Sequence, residues 1–307
     1  MIGKTFSALC LALTLTAVQA SASTAAPALD PDTPVSDDGR VGAPVQRDPG
    51  GPRPTGRGFA GTGDLSDAAG VRRVTGPGPA TVDPDDLSTQ SIIAPDGRVQ
   101  VTDTTTYPAR ATVRFTYTKP TGSTSWCTGW LYAANAVATA GHCVYNPAAA
   151  AWNTNFTVYP GRNGSSSPYG SCGVSNAYSV TGWTQDGSTE HDYAALKLTC
   201  TVGNTTGWFG LTTSTASLNG TTATTAGYPQ DKPSGTQWTT SDTVTGTTAR
   251  QLSYLMDTIG GQSGSAVYNT GCGTYCAVAV HAYGHTSHNR GTRIIEEVRR
   301  NLLAWAR

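Results

Sequence analysis

Residues 137–143 read Val137-Ala-Thr-Ala-Gly-His-Cys143, a short apolar run of strand-like residues that ends at a histidine and a cysteine. A second stretch, His191-Asp-Tyr-Ala-Ala-Leu196, begins with an aspartate ahead of another apolar run. A third stretch, Gly260-Gly-Gln-Ser-Gly-Ser265, places a serine among glycines. The resulting order of histidine, aspartate and serine is one of the chain orders in which these three groups assemble into a catalytic triad.

The chemistry of a serine nucleophile explains why these residue types occur together. A serine hydroxyl is a weak nucleophile, so an imidazole must accept its proton, and a buried carboxylate must orient that imidazole. We therefore predict a catalytic triad of His142, Asp192 and Ser263. Because a glycine lets the backbone approach a substrate closely, we predict that the N–H groups of Gly261 and Ser263 form the oxyanion hole, each contributing about 3 kcal/mol.

The charge of the chain argues against several classes of partner. The chain has 307 residues, of which only 13% are charged, with 20 basic and 20 acidic side chains. Such a balance gives no electrostatic attraction to nucleic acid or to an acidic membrane surface. We expect protein or peptide substrates, no nucleic-acid or membrane partner, and a monomer.

The first twenty residues predict export. Lys4 precedes an apolar run from Phe6 to Val18, and small residues suited to signal peptidase follow at Val18-Gln-Ala20. The run is shorter than a membrane span and no stop-transfer pattern follows, so we predict a signal peptide over residues 1–20 and a secreted, extracellular protein.

Residues 21–90 differ in composition from the rest of the chain. They are rich in Pro, Gly, Asp and Arg, and Phe59 is their only aromatic residue. Such a segment buries too little apolar surface to offset the entropy lost on ordering its backbone. We predict a largely disordered pro-segment over residues 21–90, with a flexible linker as the alternative.

Cysteine usage agrees with export. Seven cysteines are present and Cys10 belongs to the signal peptide, so six remain. An even number in a secreted chain indicates disulfides, although six cysteines allow fifteen pairings. Chain order favours Cys127–Cys143, Cys172–Cys200 and Cys272–Cys276. A zinc site would need paired short spacings, and only the last pair has one.

The chain after Ser91 predicts an all-β fold with one terminal helix. Residues 111–117 alternate as a strand does, and similar short runs recur between turn residues, which indicates a sandwich or a barrel. After Gly291, apolar residues follow at helical spacing, so we predict an amphipathic helix over residues 292–307. The apolar residues in question are Ile294, Ile295, Val298, Leu302 and Trp305.

Two groups of stretches resemble a known family. Thr139-Ala-Gly-His-Cys143 and Gly261-Gln-Ser-Gly264 resemble the trypsin-like, chymotrypsin-fold serine peptidases. The chain is more closely similar to the bacterial secreted glutamyl endopeptidases, from Ser91 to the C-terminal helix. The matching stretches are Ser91-Ile-Ile, Cys127-Thr-Gly-Trp130, Val137 to Cys143, Pro160-Gly-Arg-Asn-Gly164, Gly227-Tyr-Pro229, Met256-Asp-Thr258, Gly260 to Ser265 and Asn289-Arg-Gly-Thr-Arg293.

This resemblance implies a specific architecture and a specific processing event. It implies two six-stranded antiparallel β-barrels with the active site between them, the first over about residues 91–203 and the second over about 204–291, followed by the C-terminal helix. It also implies that a serine peptidase domain over 91–307 matures by removal of the pro-segment, with a new N-terminus near Ser91. Cys127–Cys143 then braces the loop that holds His142.

The resemblance further implies a preference for cleavage after Glu, with Asp as a second candidate. It places Thr258 and His281 in the substrate pocket, where an imidazole and a hydroxyl can donate hydrogen bonds to a carboxylate, and the Ser91 ammonium nearby. Asp257 is the reason for an alternative, because in trypsin-like enzymes an aspartate six residues before the serine selects Arg or Lys. A secreted binding protein that kept the fold without activity is the third hypothesis.

The sequence also bears on how the protein is activated and on whether it binds a metal. Gln262 stands where pancreatic-type enzymes have the acidic residue that pairs with the new N-terminus, so activation must follow another route. The spacing of His281, His285 and His288 mixes strand and loop and does not favour zinc. We expect no catalytic metal and no cofactor, while a structural calcium ion stays an open possibility.

Overall fold

The computed structural model describes residues 1–2, 28–42, 56–74, 91–93 and 95–307. The predicted signal peptide lies almost entirely outside these residues. Within the described ranges, no helix combines the length and apolar character that a membrane span requires.

The described part of the chain is dominated by short strands. The strands are β1 (Pro34–Ser36), β2 (Val99–Val101), β3 (Thr112–Thr118), β4 (Thr124–Ala133), β5 (Ala136–Thr139), β6 (Tyr145–Asn146), β7 (Ala151–Trp152), β8 (Thr154–Pro160), β9 (Cys172–Val180), β10 (Ala194–Leu198), β11 (Gly210–Leu211), β12 (Thr222–Gly227), β13 (Gln237–Thr247), β14 (Gln251–Tyr254), β15 (Ala266–Asn269), β16 (Cys276–His285) and β17 (His288–Arg293). The α-helices are α1 (Thr181–Thr184), α2 (Gly203–Thr206) and α3 (Glu296–Trp305).

These strands close into two barrels. The first barrel runs in the order β9-β10-β5-β4-β3-β8 and closes through pairing of β8 with β9. The second runs β16-β15-β12-β13-β14-β17 and closes through pairing of β16 with β17. All of these pairings are antiparallel, and closure leaves neither six-stranded sheet with an open edge. The prediction of two six-stranded antiparallel barrels with a C-terminal helix is confirmed.

Buried apolar side chains fill both barrels, and the predicted site residues come from loops of both. Phe115, Trp130 and Leu196 are fully buried in the first barrel, and Leu252 and Val267 are fully buried in the second. The predicted histidine and aspartate flank β5 and β10 of the first barrel, whereas the predicted nucleophile precedes β15 of the second.

Two boundaries differ from the sequence expectations. The sequence predicts that the first barrel begins at about residue 91. However, β2 pairs with β13 of the second barrel, with Gln100 of β2 opposite Trp238 of β13. The helix begins at Glu296 rather than at 292, because residues up to Arg293 pair with β16 to complete the second barrel.

The N-terminal segment also differs from expectation where it is described. Residues 28–42 and 56–74 lie against the two-barrel domain with defined backbone hydrogen bonds, and β1 pairs with β9. A segment of this composition cannot form a hydrophobic core of its own. These residues instead dock onto a core that already exists. The other residues of the predicted pro-segment lie outside the described ranges.

The described chain contains three disulfides. They join Cys127 to Cys143, Cys172 to Cys200 and Cys272 to Cys276, which are the pairs that chain order favoured. The first bond ties β4 to the short 3-10 helix Gly141–Cys143 that carries His142.

Candidate active site

The structure brings His142 and Asp192 into direct contact. His142 Nδ1 lies 2.8 Å from Asp192 Oδ2, and the His142 backbone N–H donates to Asp192 Oδ1 at 2.8 Å. The Asp192 side chain is fully buried, while the His142 side chain is 29% exposed. A buried carboxylate therefore fixes both the ring and the backbone of the histidine, and the Nδ1 proton leaves Nε2 able to accept another proton.

A close packing of aromatic and glycine residues holds this pair in place. A Cβ at Gly141 would lie 2.8 Å from the Trp183 ring and 2.9 Å from Asp192 Oδ1, so the chain requires glycine beside the histidine. The Trp183 ring meets the His142 ring edge-on at 6.3 Å, and its Nε1–H donates to the Tyr145 carbonyl. This packing explains the Gly-His order of the first motif.

Ser263 is held beside the histidine segment by contacts between the barrels. Its carbonyl accepts a hydrogen bond from Thr128 N–H at 3.0 Å and lies 3.8 Å from Sγ of Cys143, the residue after His142. Gly264 has φ +84°, and a Cβ there would lie 2.0 Å from Thr139 Oγ1. Only glycine fits directly after the serine, because this turn packs against Thr128, Thr139 and Ala140 of the first barrel.

Hydrogen bonds to the Gly260 and Gln262 carbonyls fix the peptide groups that carry the two predicted oxyanion-hole donors. The Gly260 carbonyl accepts from Gln230 N–H at 2.8 Å, so the Gly261 N–H of the same trans peptide points the opposite way. The Gln262 carbonyl is likewise bound by Ser265, which turns the Ser263 N–H away from Ser265. Both predicted donors are thus directed away from the protein contacts of their own peptide groups.

Thr128 fixes this loop, and the sequence analysis did not single it out as functional. Its hydroxyl donates to the Gly261 carbonyl at 2.8 Å and accepts from Tyr228 N–H at 3.0 Å. Gly261 has φ +90°, and a Cβ there would lie 2.5 Å from the Tyr228 carbonyl. The signal was present, because Thr128 belongs to the Cys127-to-Trp130 stretch, but nothing in the sequence shows where its hydroxyl points.

The predicted pocket contains two buried polar atoms without a partner. His281 and Thr258 are both fully buried, and neither His281 Nε2 nor Thr258 Oγ1 has a hydrogen-bond partner among the described residues. The His281 backbone is bonded to the nucleophile turn, since its carbonyl accepts from Gly264 N–H at 2.7 Å. Buried polar atoms are rarely left unpaired in native proteins, so these two atoms are suited to a polar ligand.

The other ring nitrogen of His281 is occupied by Tyr254, a contact that the sequence did not indicate. The Tyr254 hydroxyl lies 2.6 Å from His281 Nδ1, and both residues are fully buried. Burial, with a smaller effect from His142, lowers the pKa of His281 to about 3, and burial raises the pKa of Tyr254 well above its ordinary value. The imidazole is therefore neutral near pH 7.

Asp257 does not offer a free carboxylate. Its Oδ1 accepts from Ile93 N–H and its Oδ2 from Gly97 N–H, both at 2.7 Å, and the residue is only 6% exposed. Both oxygens are engaged by the chain that follows Ser91. Charge-assisted hydrogen bonds to backbone N–H groups are among the stronger ones in proteins.

Ser91 is held beside Thr258 by Asn289. The Ser91 N–H donates to Asn289 Oδ1 at 3.1 Å, and Asn289 Nδ2 donates to the Ser91 carbonyl at 2.7 Å. The Ser91 carbonyl also accepts from Thr258 N–H at 3.3 Å. The predicted substrate-binding residues Ser91 and Thr258 are thus brought together.

Gln262 is linked to the N-terminal part of the domain by Arg98. Its Oε1 accepts from Ile259 N–H at 3.1 Å and lies 3.3 Å from Arg98 Nη1. The Arg98 side chain is fully buried and forms ion pairs with Asp96 and Asp231. A guanidinium thus lies beside the residue before the nucleophile, where pancreatic-type enzymes place the new N-terminal ammonium.

The comparisons with known proteins agree with this geometry. Residues 98–294 match the family model Trypsin. The chain therefore belongs to the trypsin family, and it is a serine peptidase of the chymotrypsin-like fold. It is 42% identical over 255 residues to the glutamyl endopeptidase of Bacillus licheniformis, a match that covers 80% of this chain and 77% of that protein.

Two further proteins are similar to this chain, one of them with a solved structure. The chain is similar to a solved structure of a Glu endopeptidase in complex with MPD, with TM-score 0.62 and 33% identity over 68% of this chain and 96% of that one. It is also 43% identical over 223 residues to the extracellular metalloprotease of Bacillus subtilis, which covers 72% of this chain and 71% of that protein.

Because that relative is named a metalloprotease, it matters whether side chains of this chain could hold a metal ion. Among the described residues, one group of potential ligands, Cys127, His142 and Cys143, has donor atoms within 4.8 Å of one another. Its two sulfurs are joined in a disulfide, and His142 Nδ1 faces Asp192. Disulfide sulfurs are not thiolate ligands, and the His142 Nδ1 is already bonded to a carboxylate, so this group does not fit a metal.

Proposed function

We propose that this chain is a secreted endopeptidase that cleaves after Glu, with His142, Asp192 and Ser263 as its catalytic triad. Asp is the second acceptable side chain in the proposal. The observation that carries the specificity is the pair of buried, unpartnered polar atoms, His281 Nε2 and Thr258 Oγ1, beside the nucleophile turn.

Catalysis follows from the contacts of the triad. Ser263 Oγ attacks the carbonyl carbon of the scissile peptide bond while its proton passes to His142 Nε2, and Asp192 stabilises the resulting imidazolium. The N–H groups of Gly261 and Ser263 bind the oxyanion. The peptide C–N bond breaks as Nε2–H protonates the leaving amine. A water molecule then hydrolyses the acyl-enzyme by the same proton transfers, which releases the acid and restores Ser263.

A glutamate side chain satisfies the pocket better than the alternatives do. A carboxylate oxygen accepts from a hydroxyl and from an imidazole N–H, which are the groups that Thr258 and His281 supply. An apolar side chain would leave both atoms buried and unpaired, at a cost of roughly 1–3 kcal/mol for each group. The proposal needs no cofactor, because the triad and the backbone N–H groups supply every proton transfer.

Asp257 does not support the alternative of cleavage after Arg or Lys. That alternative requires a carboxylate directed into the pocket, whereas both Asp257 oxygens accept backbone N–H groups of Ile93 and Gly97. A lysine or arginine side chain would also meet the Nε2–H donor of His281, and only the Thr258 hydroxyl could accept from its N–H groups.

Maturation ahead of Ser91 is part of the proposal. In the uncut chain, Ser91 N–H donates to Asn289 Oδ1 beside the Thr258 backbone. Cleavage before Ser91 would convert this N–H into an ammonium at the same place, which would add a positive charge next to a pocket that binds an anion. We propose that the zymogen gains its full preference for Glu at this step.

The proposal is tested with the mature enzyme and four chromogenic peptides that differ only in the residue before the scissile bond: Glu, Asp, Arg and Phe. We expect the highest kcat/KM for Glu, and no turnover above background by Ser263→Ala, whose circular dichroism matches that of the parent. Preferential cleavage after Arg would refute the specificity. Lack of turnover, together with no reaction of the parent with a serine-directed phosphonate, would instead support a binding protein.

A further inference from the structure

Asp32 of the N-terminal segment is enclosed by side chains of the peptidase domain. Its carboxylate is bound by both terminal nitrogens of Arg250 and accepts from the Tyr193 hydroxyl at 3.0 Å. Asn301 Nδ2 donates to the Asp32 carbonyl at 2.8 Å and to the Tyr193 hydroxyl at 2.8 Å. The Asp32 side chain is only 7% exposed. These side chains form a buried binding site for a single carboxylate.

Backbone hydrogen bonds extend the contact on both sides of Asp32. Thr181 N–H donates to the Thr33 carbonyl at 3.0 Å, and Gly182 N–H donates to the Pro31 carbonyl at 2.8 Å. Strand β1 then pairs with the end of β9, with Val35 opposite Ser179. An added strand of this kind is a common way for a separate peptide to bind a protein.

A second anchor lies further along the same segment. Phe59 and Trp208 exchange backbone hydrogen bonds of 2.9 and 2.8 Å, and their ring centroids are 4.6 Å apart. The Ala60 carbonyl accepts from Arg110 Nη2 at 2.8 Å. Gly61 lies so close to Gly207 that a Cβ on Gly61 would be 2.3 Å from the Gly207 nitrogen.

The docked segment contacts the stretch that leads to Asp192 and the residue directly after it. Tyr193, which binds Asp32, is the residue directly after Asp192. Gly182, which binds the Pro31 carbonyl, packs against His191, since a Cβ at Gly182 would lie 2.6 Å from the His191 ring.

We propose that the N-terminal segment is a non-covalent subunit of the mature enzyme. After the chain is cut ahead of Ser91, the fragment stays bound on this face through Asp32 and Phe59. Its loss would expose Tyr193 and leave Arg250 without the carboxylate that pairs with it. The bound fragment thereby holds the stretch from Thr181 to Tyr193 in place. The proposal rests on the proposed function only for the position of the cut.

The test uses the full chain with Ser263→Ala, so that retention is measured without any self-cleavage. A recognition sequence for a sequence-specific protease, flanked by glycine-serine spacers, is inserted after Gly78, and complete cutting is verified under denaturing conditions. Native mass spectrometry and size-exclusion chromatography then compare this protein with the same protein carrying Asp32→Ala. Asp67→Ala, at an exposed aspartate of the same segment, is the matched control.

We expect the cut parent and the Asp67→Ala control to migrate as a two-chain complex. Removing one partner of a buried ion pair is costly, so Asp32→Ala should weaken retention by at least about tenfold. Phe59→Ala provides an independent variant if Asp32→Ala does not fold before cutting. Release of the fragment from the cut parent, or equal retention by the parent, Asp32→Ala and Phe59→Ala, would overturn the proposal.

Discussion

The Tyr254 hydroxyl lies 2.6 Å from Nδ1 of His281, inside the second barrel and away from solvent. Because burial raises the pKa of Tyr254, its hydroxyl keeps its proton and can donate it to Nδ1. A neutral imidazole that accepts at Nδ1 carries its own proton at Nε2. We infer that the Tyr254 hydroxyl donates to Nδ1, which favours the tautomer in which His281 Nε2–H donates to a substrate carboxylate.

Tyr254→Phe tests this relationship. Without the hydroxyl, Nδ1 is left without its partner and the Nε2–H tautomer is no longer enforced. We expect kcat/KM for a Glu peptide to fall by about tenfold, the value of one net hydrogen bond. Acylation by a small ester that does not reach the pocket should stay unchanged. Tyr275→Phe, at a ring packed on Tyr107 and Tyr268, serves as the control.

Thr128→Val tests the support of the oxyanion loop. The substitution keeps the shape but removes the hydroxyl that donates to the Gly261 carbonyl and accepts from Tyr228 N–H. We expect kcat to fall by roughly 10- to 100-fold with little change in KM, because the oxyanion forms only during the reaction. Thr128→Ser should restore most of the activity. A change confined to KM, or no rescue by serine, would contradict this role.

Asp257→Asn separates the two specificity hypotheses. An amide nitrogen in place of one oxygen cannot accept from both Ile93 and Gly97, so the variant should lose roughly 1–3 kcal/mol of unfolding free energy. The ratio of kcat/KM for Glu and Arg peptides should stay within about twofold, since the carboxylate does not face the substrate. A selective loss of cleavage after Arg would show that the Asp257 carboxylate binds the substrate side chain.

The buried His281 predicts acid sensitivity of the fold. Its pKa is lowered from an ordinary 6.5 to about 3 in the folded protein, mainly by burial. The folded state therefore binds this proton less readily than the unfolded state does. The resulting stability is fully present above about pH 6.5 and is lost as the pH falls toward about 3.

Denaturant unfolding of Ser263→Ala between pH 7 and pH 4 measures this effect. A second protein with His281→Gln, which has no ionisable ring, should lose stability less steeply over the same range. The control is His285→Gln at the exposed end of β16. An identical slope for all three proteins would mean that His281 is not the buried neutral group we describe.

The motifs around His142 and Asp192 predicted two side chains that lie in hydrogen-bond contact, because a serine nucleophile needs an imidazole oriented by a carboxylate. The role of Ser263 stays a prediction. The glycine at 264 has φ +84° and no room for a side chain, so the turn that presents the serine is encoded in a few residues. The repeated short strands likewise predict an all-β domain. The family resemblance supplied the two-barrel arrangement that spacing alone left open.

Other features depend on contacts between distant parts of the chain. The direction of Asp257 is decided by its hydrogen bonds with the Ile93 and Gly97 N–H groups, which no local pattern reveals. The docking of Asp32 depends on Arg250 and Asn301, far along the chain, so composition alone predicted disorder there. The sequence does not distinguish Tyr254 from any other buried tyrosine. Its contact with His281 is apparent only in the folded structure.

The most direct test of the carboxylate pocket compares two peptides that differ only in Glu or Gln before the scissile bond. The two side chains have the same shape, so the ratio of their kcat/KM values reports recognition of the carboxylate itself. We predict a ratio of at least about 100 for the mature enzyme, which falls at least tenfold in Thr258→Val and in His281→Leu while acylation by a small ester persists. A ratio near one in the parent enzyme, or a large ratio that survives in both variants, would contradict the account.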